Sequence, residues 1–485
     1  MERKYTDVKY IHKLIPVIFF MVMIIYGFGV RPVVFDQPGI SIEVMMVILT
    51  TFTSMYLMIF AKVKWEDIEE AMKQRIGSAV PTLAILLAIG ILIAALIMAG
   101  TLPMLIYYGV KMINPSFIYA IAFILPIVFS LCTGTSWGSA ATIGVVLMSI
   151  ATTIDANLAI TAGAVVSGSY FGDKLSPISD TTNLAALAAE VDLYDHVKSM
   201  LWTTVPTAVI ALTVYIVAGF MYPPAITSID SPAITSTLTS LKSMFSFNPL
   251  LLLPIAVVVY GSYRKKSAVT TMMGAALSGY LLAIIFQPFS LNALFESLGT
   301  GFKVNMIDWY VVDEQAMSVV KFIERGGFWS LGRLVPKIIT TLMFVSAIGT
   351  VDAITEVVTR LFSFAKSRFM IITSTLWTAA IILGVASNGI ACTFVTADIF
   401  KKKYDENNIP RKVLSRSIED AGTMLNPLYG WTPAGIFFAS TLGVPISKFA
   451  PWAVMNYGTI IVAMVIAYLG IGVSAKEDKG LKKAS

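Results

Sequence analysis

The sequence predicts an all-α polytopic membrane protein, with about 10 to 13 transmembrane segments in two inverted-topology repeats that contain re-entrant hairpins and broken helices. Three observations predict it. Of 485 residues, 56% are hydrophobic and 13% charged, with a mean hydropathy of +0.78, whereas a soluble domain carries about 25% charged residues. Uncharged runs recur along the chain, at 14–30, 44–61, 76–110, 112–154, 156–172, 199–229, 243–263, 267–295, 369–397, 421–447 and 449–475, and roughly 20 apolar residues span a bilayer as a helix. Two polar, glycine-rich interruptions also occur twice, in the same order, at an offset of 250 residues.

The first run follows Arg3, Lys4, Lys9 and Lys13, as in a secretory leader. No small-residue cleavage site comes after it, so it reads as the first transmembrane helix. Residues 1–75 form N-terminal helices and the charged loop "KVKWEDIEEAMKQR"; 76–221 the first repeat; 222–335 connecting helices and an interfacial linker, with 296–335 the long mixed stretch; 336–475 the second, inverted repeat; and 476–485 a basic tail with Lys476, Lys479, Lys482 and Lys483. By the positive-inside rule both termini are cytoplasmic. Cys132 and Cys392 lie in apolar runs and suggest neither a disulfide nor a metal site; His12 and His196 lack ligand spacing. The net charge of +6 comes from loops and ends, a topology signal and not a nucleic-acid footprint.

The repeat lays "FGDKLSPISDTT" over "AGTMLNPLYGWT", matching Gly172 with Gly422, Leu175 with Leu425, Pro177 with Pro427 and Thr182 with Thr432, and sets "GTSWGSAAT" against "GVASNGIAC". The connection between the first pair, "SIATTIDANLAIT", has no Lys or Arg; the second carries Lys401, Lys402, Lys403, Arg411, Lys412 and Arg416. Equivalent loops of opposite charge character belong on opposite sides, which is the inverted arrangement that puts discontinuous helices at the bilayer midplane. One irregular bundle without symmetry is the alternative.

Polar groups inside such runs carry the function. A carboxylate mid-membrane costs about 2.5–3.5 kcal/mol on insertion scales. Asp173 can pair with Lys174 as a structural salt bridge or bind a cation; Asp180, in "SPISDTTN", sits among hydroxyl and amide groups suited to an alkali cation, or else at a loop mouth. Pro177 breaks the helix and frees carbonyls, tolerated where backbone lines a polar cavity. Thr135 and Ser136, with Ser387 and Asn388 as second-half counterparts, offer hydroxyls, amides and carbonyls at bends, although small-residue packing enriches the same residues. Asp352 and Glu356 share a helical face, and Glu356 reaches Arg360 at i+4. Asp352, Glu356, Glu419 and Asp420, with Lys174, compete as secondary candidates for the site; Glu419 and Asp420 follow Arg416 and otherwise read as closing the cytoplasmic mouth, and Asp155 as solvated outside. No Walker loop, HExxH or GxSxG is present, so the chain reads as a secondary transporter and not an enzyme, with no cofactor beyond a transported or coupling ion.

Taken together, "GTSWGSAATIG", "SGSYFGDKLSPISDTTNLA" and "SRSIEDAGTMLNPL" resemble the NhaC family of bacterial sodium/proton antiporters, over essentially the whole chain. The resemblance implies the ion transporter architecture, with an elevator-type movement of a transport domain. It implies sodium or substrate roles for Asp173, Ser176, Ser179, Asp180, Thr181, Thr182 and Asn183, then for Thr135, Ser136, Thr423 and Asn426. The chain departs from the family after "NPL": "YGWTPAG" puts Gly430 where relatives carry proline and Thr432 after the tryptophan, so the second-half contribution stays open. The expected function is sodium/proton antiport, with Asp180 and Asp173 as proton-coupling candidates. The alternative is sodium-coupled transport or exchange of a small carboxylate or amino acid, with Lys174 as the cation meeting the substrate; a channel or non-transporting receptor is a third class. The expected partners are Na+, H+, a small organic acid or amino acid in the second reading, the lipid bilayer, no nucleic acid, and a second copy if the protein is a homodimer.

Overall fold

The computed structural model describes residues 5, 7–226, 232–264, 266–310 and 323–473. Arg3, Lys4, the basic tail and part of the 296–335 linker lie outside the described residues. Among the described residues nine helices are long and apolar enough to cross a membrane, or eleven if each of two bent pairs is one span, at the low end of the sequence range.

In chain order the main helices, long and short, are α1 (Tyr10–Val34), α2 (Ile42–Phe60), α3 (Trp65–Met98), α4 (Thr101–Met112), α5 (Ile118–Thr133), α6 (Ser136–Thr153), α7 (Leu158–Leu175), α8 (Asp180–Ala188), α9 (Leu193–Met221), α10 (Pro232–Met244), α11 (Leu253–Tyr263), α12 (Ala268–Phe286), α13 (Leu291–Thr300), α14 (Phe328–Gly349), α15 (Ala353–Leu361), α16 (Arg368–Ala386), α17 (Gly389–Glu406), α18 (Arg411–Ile418), α19 (Pro433–Leu442) and α20 (Val454–Leu469). The charged stretch after α2 is helical from Trp65 on, as its helix-forming composition predicts, and opens α3. Its acidic residues Glu66 and Asp67 occupy the first turn of α3, where the helix dipole favours them, and the helix runs on unbroken. The described flanks of the 296–335 linker pack inward. Phe302, Met306, Ile307 and Ile323 are buried, and the Gly327 amide donates to the Gly90 carbonyl of α3 at 2.7 Å.

Two helical hairpins, α5–α6 and α16–α17, are each followed by a broken helix: α7 with α8, and α18 with α19. Local chemistry sets the breaks. Gly134 and Ser387 take left-handed backbone at φ 66° and 50°, closing one helix of each hairpin. Thr135 and Asn388 then cap the next by accepting from the Gly138 and Ala391 amides. The first broken helix opens on an Asn157 cap and resumes after Ser179; the second opens after Pro410 and resumes after a Thr432 cap. Thr135 and Asn388, Asn157 and Pro410, and Ser179 and Thr432 are each 253 residues apart, three more than the offset read from matching letters. The corrected spacing sets Asp173 opposite Asn426, because helix caps and not chance identities define equivalent positions.

The hairpin α5 packs on α7 at backbone distance: a Cβ on Gly168 would lie 2.1 Å from the Phe123 carbonyl oxygen, a close approach that only glycine permits. Each broken helix begins beside the end of the other. Glu190, just past α8, pairs with Lys401 at 3.1 Å and with Arg411, the first residue of α18. Gly163, near the start of α7, packs on Trp452, which follows α19.

Candidate functional site

A cavity of about 610 Å³ lies where both hairpin tips and both breaks meet. Its lining includes Thr135, Ser136, Asp173, Ser179, Asp180, Thr181, Asn183, Ser387, Asn388, Thr423 and Asn426. Eleven of the fourteen residues singled out in the sequence as ion- or substrate-binding therefore converge, although 253 residues separate the two hairpin tips.

Asp173 stands at its floor, only 6% exposed, in the last turn of α7. The Ser136 amide, at the start of α6, donates to Oδ2 at 3.1 Å, and the Ser179 hydroxyl, in the break, donates to Oδ1 at 2.6 Å. One carboxylate thus joins the first hairpin tip to the first break. A carboxylate has about four acceptor sites, so lone pairs remain for a ligand. Asp173 does not pair with Lys174, as one reading of the sequence had it. Lys174 is fully buried and pairs with Asp420 across the two broken helices, which also removes it as the cation for a substrate carboxylate. Asp180 lines the exposed part of the cavity, with Asn183 beside it and exposed Lys266 also in the wall; it has no hydrogen bond or ion pair among the described residues.

The other candidates hold the backbone in place. Ser176 donates to the Leu131 carbonyl at 3.0 Å, tying the break to α5, and Thr182 donates to the Lys174 carbonyl at 2.9 Å. Thr432 is not a cavity residue: its hydroxyl donates to the Asn426 carbonyl at 2.6 Å and caps the Gly435 amide. The "YGW" departure builds a wedge. The Trp431 indole donates to the Gly384 carbonyl, the Tyr429 hydroxyl to that of Ala380, and Trp431 stacks on Phe28. Glu356 pairs with Lys13 and Arg360, both at 2.7 Å, and Asp352 holds the N-terminal cap position of α15 in left-handed backbone, with no side-chain cap bond and away from the cavity lining.

Glu419 and Asp420 do not close a mouth; they are 1% and 0% exposed, in a π-helical turn Glu419–Thr423 that continues α18. Sequence reasoning placed them at the surface because Arg416 precedes them, but Arg416 is itself 1% exposed, donating to the Ser199 and Gly472 carbonyls. Trp137 and Tyr170 line the cavity and were missed. Trp137 stacks on Phe437 at 4.5 Å, joining the first hairpin to α19, and its place inside the "GTSWGSA" tip was the available signal.

Four helices, α6, α8, α17 and α19, have residues of their first turn in the cavity wall. Each helix N-terminus carries a partial positive charge of roughly 0.5, with some first-turn amides already engaged, Ser136 by Asp173, Gly138 by Thr135, Ala391 by Asn388 and Gly435 by Thr432. The site thus combines two carboxylates with four positive helix ends, a setting that can hold a cation against Asp173 or an anion against the amides. Among the described residues no group of His, Cys, Asp and Glu has the form of a metal centre.

Comparison with known proteins matches the chain to the Na+/H+ antiporter family over residues 8–182 and 168–471. It is 37% identical to an uncharacterized Na(+)/H(+) antiporter of Haemophilus influenzae over 95% of this chain and 96% of that one. It is 33% identical to the Na(+)/H(+) antiporter NhaC of Alkalihalophilus pseudofirmus, over 92% and 93% of the two chains. It is also 30% identical to the malate-2H(+)/Na(+)-lactate antiporter of Bacillus subtilis, over 86% and 87%.

Proposed function

The chain belongs to the Na+/H+ antiporter family and is a multi-pass membrane sodium/proton antiporter, and we propose that its exchange runs through the Asp173 cavity, across a bacterial inner membrane. The observation that carries this reading is the single carboxylate fastened to both the first hairpin tip and the first break. A group so placed accepts either a proton or a sodium ion, and competition for it couples the two flows. Sodium sits against Asp173 and hydroxyl oxygens of the break, Ser179 and Thr181, with Asp180 drawing cations to the exposed part of the cavity. The two hairpin-and-broken-helix units are inverted repeats that move together as an elevator; the support is the shared cap spacing and the antiparallel lie of the broken helices.

The test is purified protein in liposomes with a pH dye. Sodium pulses alone should move protons in the parent protein and fail to do so in Asp173→Asn, whose melting temperature sodium should no longer raise. Survival of both signals in Asp173→Asn would move the ion site elsewhere. For the inversion, single cysteines at Asp155 and Lys403, in a background lacking Cys132 and Cys392, should label from opposite sides.

A second reading, exchange of a small carboxylate, is favoured by the cavity itself. Its volume of about 610 Å³ equals that of roughly twenty waters at about 30 Å³ each, far more than a sodium ion fills, and four helix N-termini face it. Proton movement that needs an added organic acid or amino acid would support this reading over the first.

A further inference from the structure

Below the cavity floor lies a second, buried set of charged groups. Gly422 and Thr423 line the cavity, and Glu419 begins the same π-helical turn, one turn deeper. Its side chain is 1% exposed and neither carboxylate oxygen has a hydrogen-bond partner. The groups that act on it electrostatically come from three elements: Asp173, Lys174 and Tyr170 on α7, Asp420 on its own helix, and Cys392 on α17. From α9, His196 faces Ser415 and Thr203 donates to Asp420 at 2.9 Å. The Thr378 hydroxyl of α16, the helix packed on this turn, and the Thr396 hydroxyl of α17 are also buried without hydrogen-bond partners. Lys174 is committed to Asp420 and Arg416 to backbone carbonyls, so no cation is assigned to Glu419.

We infer that Glu419 is a second proton-carrying group of the exchange, separate from the carboxylate that holds sodium. A carboxylate buried away from water is disfavoured as the ion, while the Lys174 charge and the Thr423 hydroxyl offset part of that and keep the ion reachable. The proton enters from cavity water past Thr423, adds to a carboxylate oxygen of Glu419 to give the carboxylic acid, and leaves by the same route when the cavity faces the other side. Asp173 exchanges one proton for one sodium; Glu419 gives up its proton when sodium binds at Asp173 and takes one up when sodium leaves, so two protons cross for each sodium. π-Helical turns are concentrated at functional sites, and here the turn aims Glu419 inward while Thr423 faces the cavity.

This rests on Asp173 as the sodium site, so the experiment reads the two residues separately. The number of protons per sodium is measured from the reversal potential of exchange in proteoliposomes, beside thermal-shift titration with sodium. The parent protein should show two protons per sodium. Glu419→Gln should show one, with sodium stabilisation unchanged, and Glu419→Asp should restore two. A ratio of one in the parent, an unchanged ratio in Glu419→Gln, or loss of all exchange in a sodium-stabilised Glu419→Gln would overturn the inference. Sodium stabilisation that persists in Asp173→Asn would instead overturn the proposed sodium site and leave the Glu419 ratio to stand alone.

Discussion

The first and second broken helices have matching caps and opposite electrical designs. In the first, charge sits at the break: Asp173 faces the cavity and Lys174 faces away from it. In the second, Arg416, Glu419 and Asp420 lie deeper along the helix, and the position equivalent to Asp173 is Asn426, whose Oδ1 has no partner. The hydroxyls differ in the same way. Ser179 donates to the Asp173 side chain, whereas its equivalent Thr432 donates to the Asn426 backbone carbonyl. Matching caps thus carry different side chains: one break places a carboxylate in the cavity wall, and the other places the neutral Asn426 amide and a helix end there.

The largest expected effect breaks this division at its charged member. Asp173→Asn should abolish sodium-driven proton movement in liposomes, and adding Asn426→Asp in the same chain should not restore it, because Thr432 is committed to backbone. Recovery of flux in the double variant would show the two breaks to be interchangeable. Asp180→Asn, at the exposed part of the cavity, should weaken apparent sodium affinity while keeping maximal flux.

Next comes the bond that crosses between the two helices. Lys174→Met strands Asp420 in a fully buried position, and removing one partner of such a pair costs about 3–5 kcal/mol. The melting temperature in detergent should fall sharply, and Lys174→Met with Asp420→Leu should recover much of it. A small change in the single variant would mean that Thr203 suffices to hold Asp420.

A smaller effect is expected at the aromatic wedge of the second break. Trp431→Phe keeps the ring but loses the donor to the Gly384 carbonyl, worth about 1 kcal/mol, readable as a modest drop in thermal stability with sodium binding intact.

The smallest concerns the surface clasp between the end of the first broken helix and the start of the second. Lys401 and Arg411 hold the Glu190 carboxyl below its usual range, and Arg411 does the same for Asp405. With folded values depressed, their contribution is present above the unfolded carboxylate range and is lost as pH falls through the lowered values. The groups are exposed, so salt should screen the effect. Glu190→Gln should flatten the acid limb of stability slightly at low salt, and no difference from the parent there would show the clasp to be incidental.

Much of the candidate site could be read in the sequence because membrane burial makes polar residues conspicuous. Asp173, Ser179 and Asn183 on one side, and Ser387 and Asn388 on the other, stood out against runs with no charge. Register was harder: four matching letters gave 250, while caps at Thr135 and Asn388 require 253, since a cap is defined by backbone geometry that different residues can satisfy. Thr432 illustrates the same limit, a hydroxyl in the right motif whose proton is already given to a carbonyl.

The sequence by itself determined the membrane class, the helix breaks and the oxygen-rich tips, because hydropathy, proline, glycine and capping residues act over a few positions of chain. Only the tertiary structure decided which charges pair. Lys174 meets Asp420 and not its neighbour Asp173, and Glu419 lies inside and not at a mouth, because those partners are set by how two helices more than two hundred residues apart pack together, which no local spacing encodes.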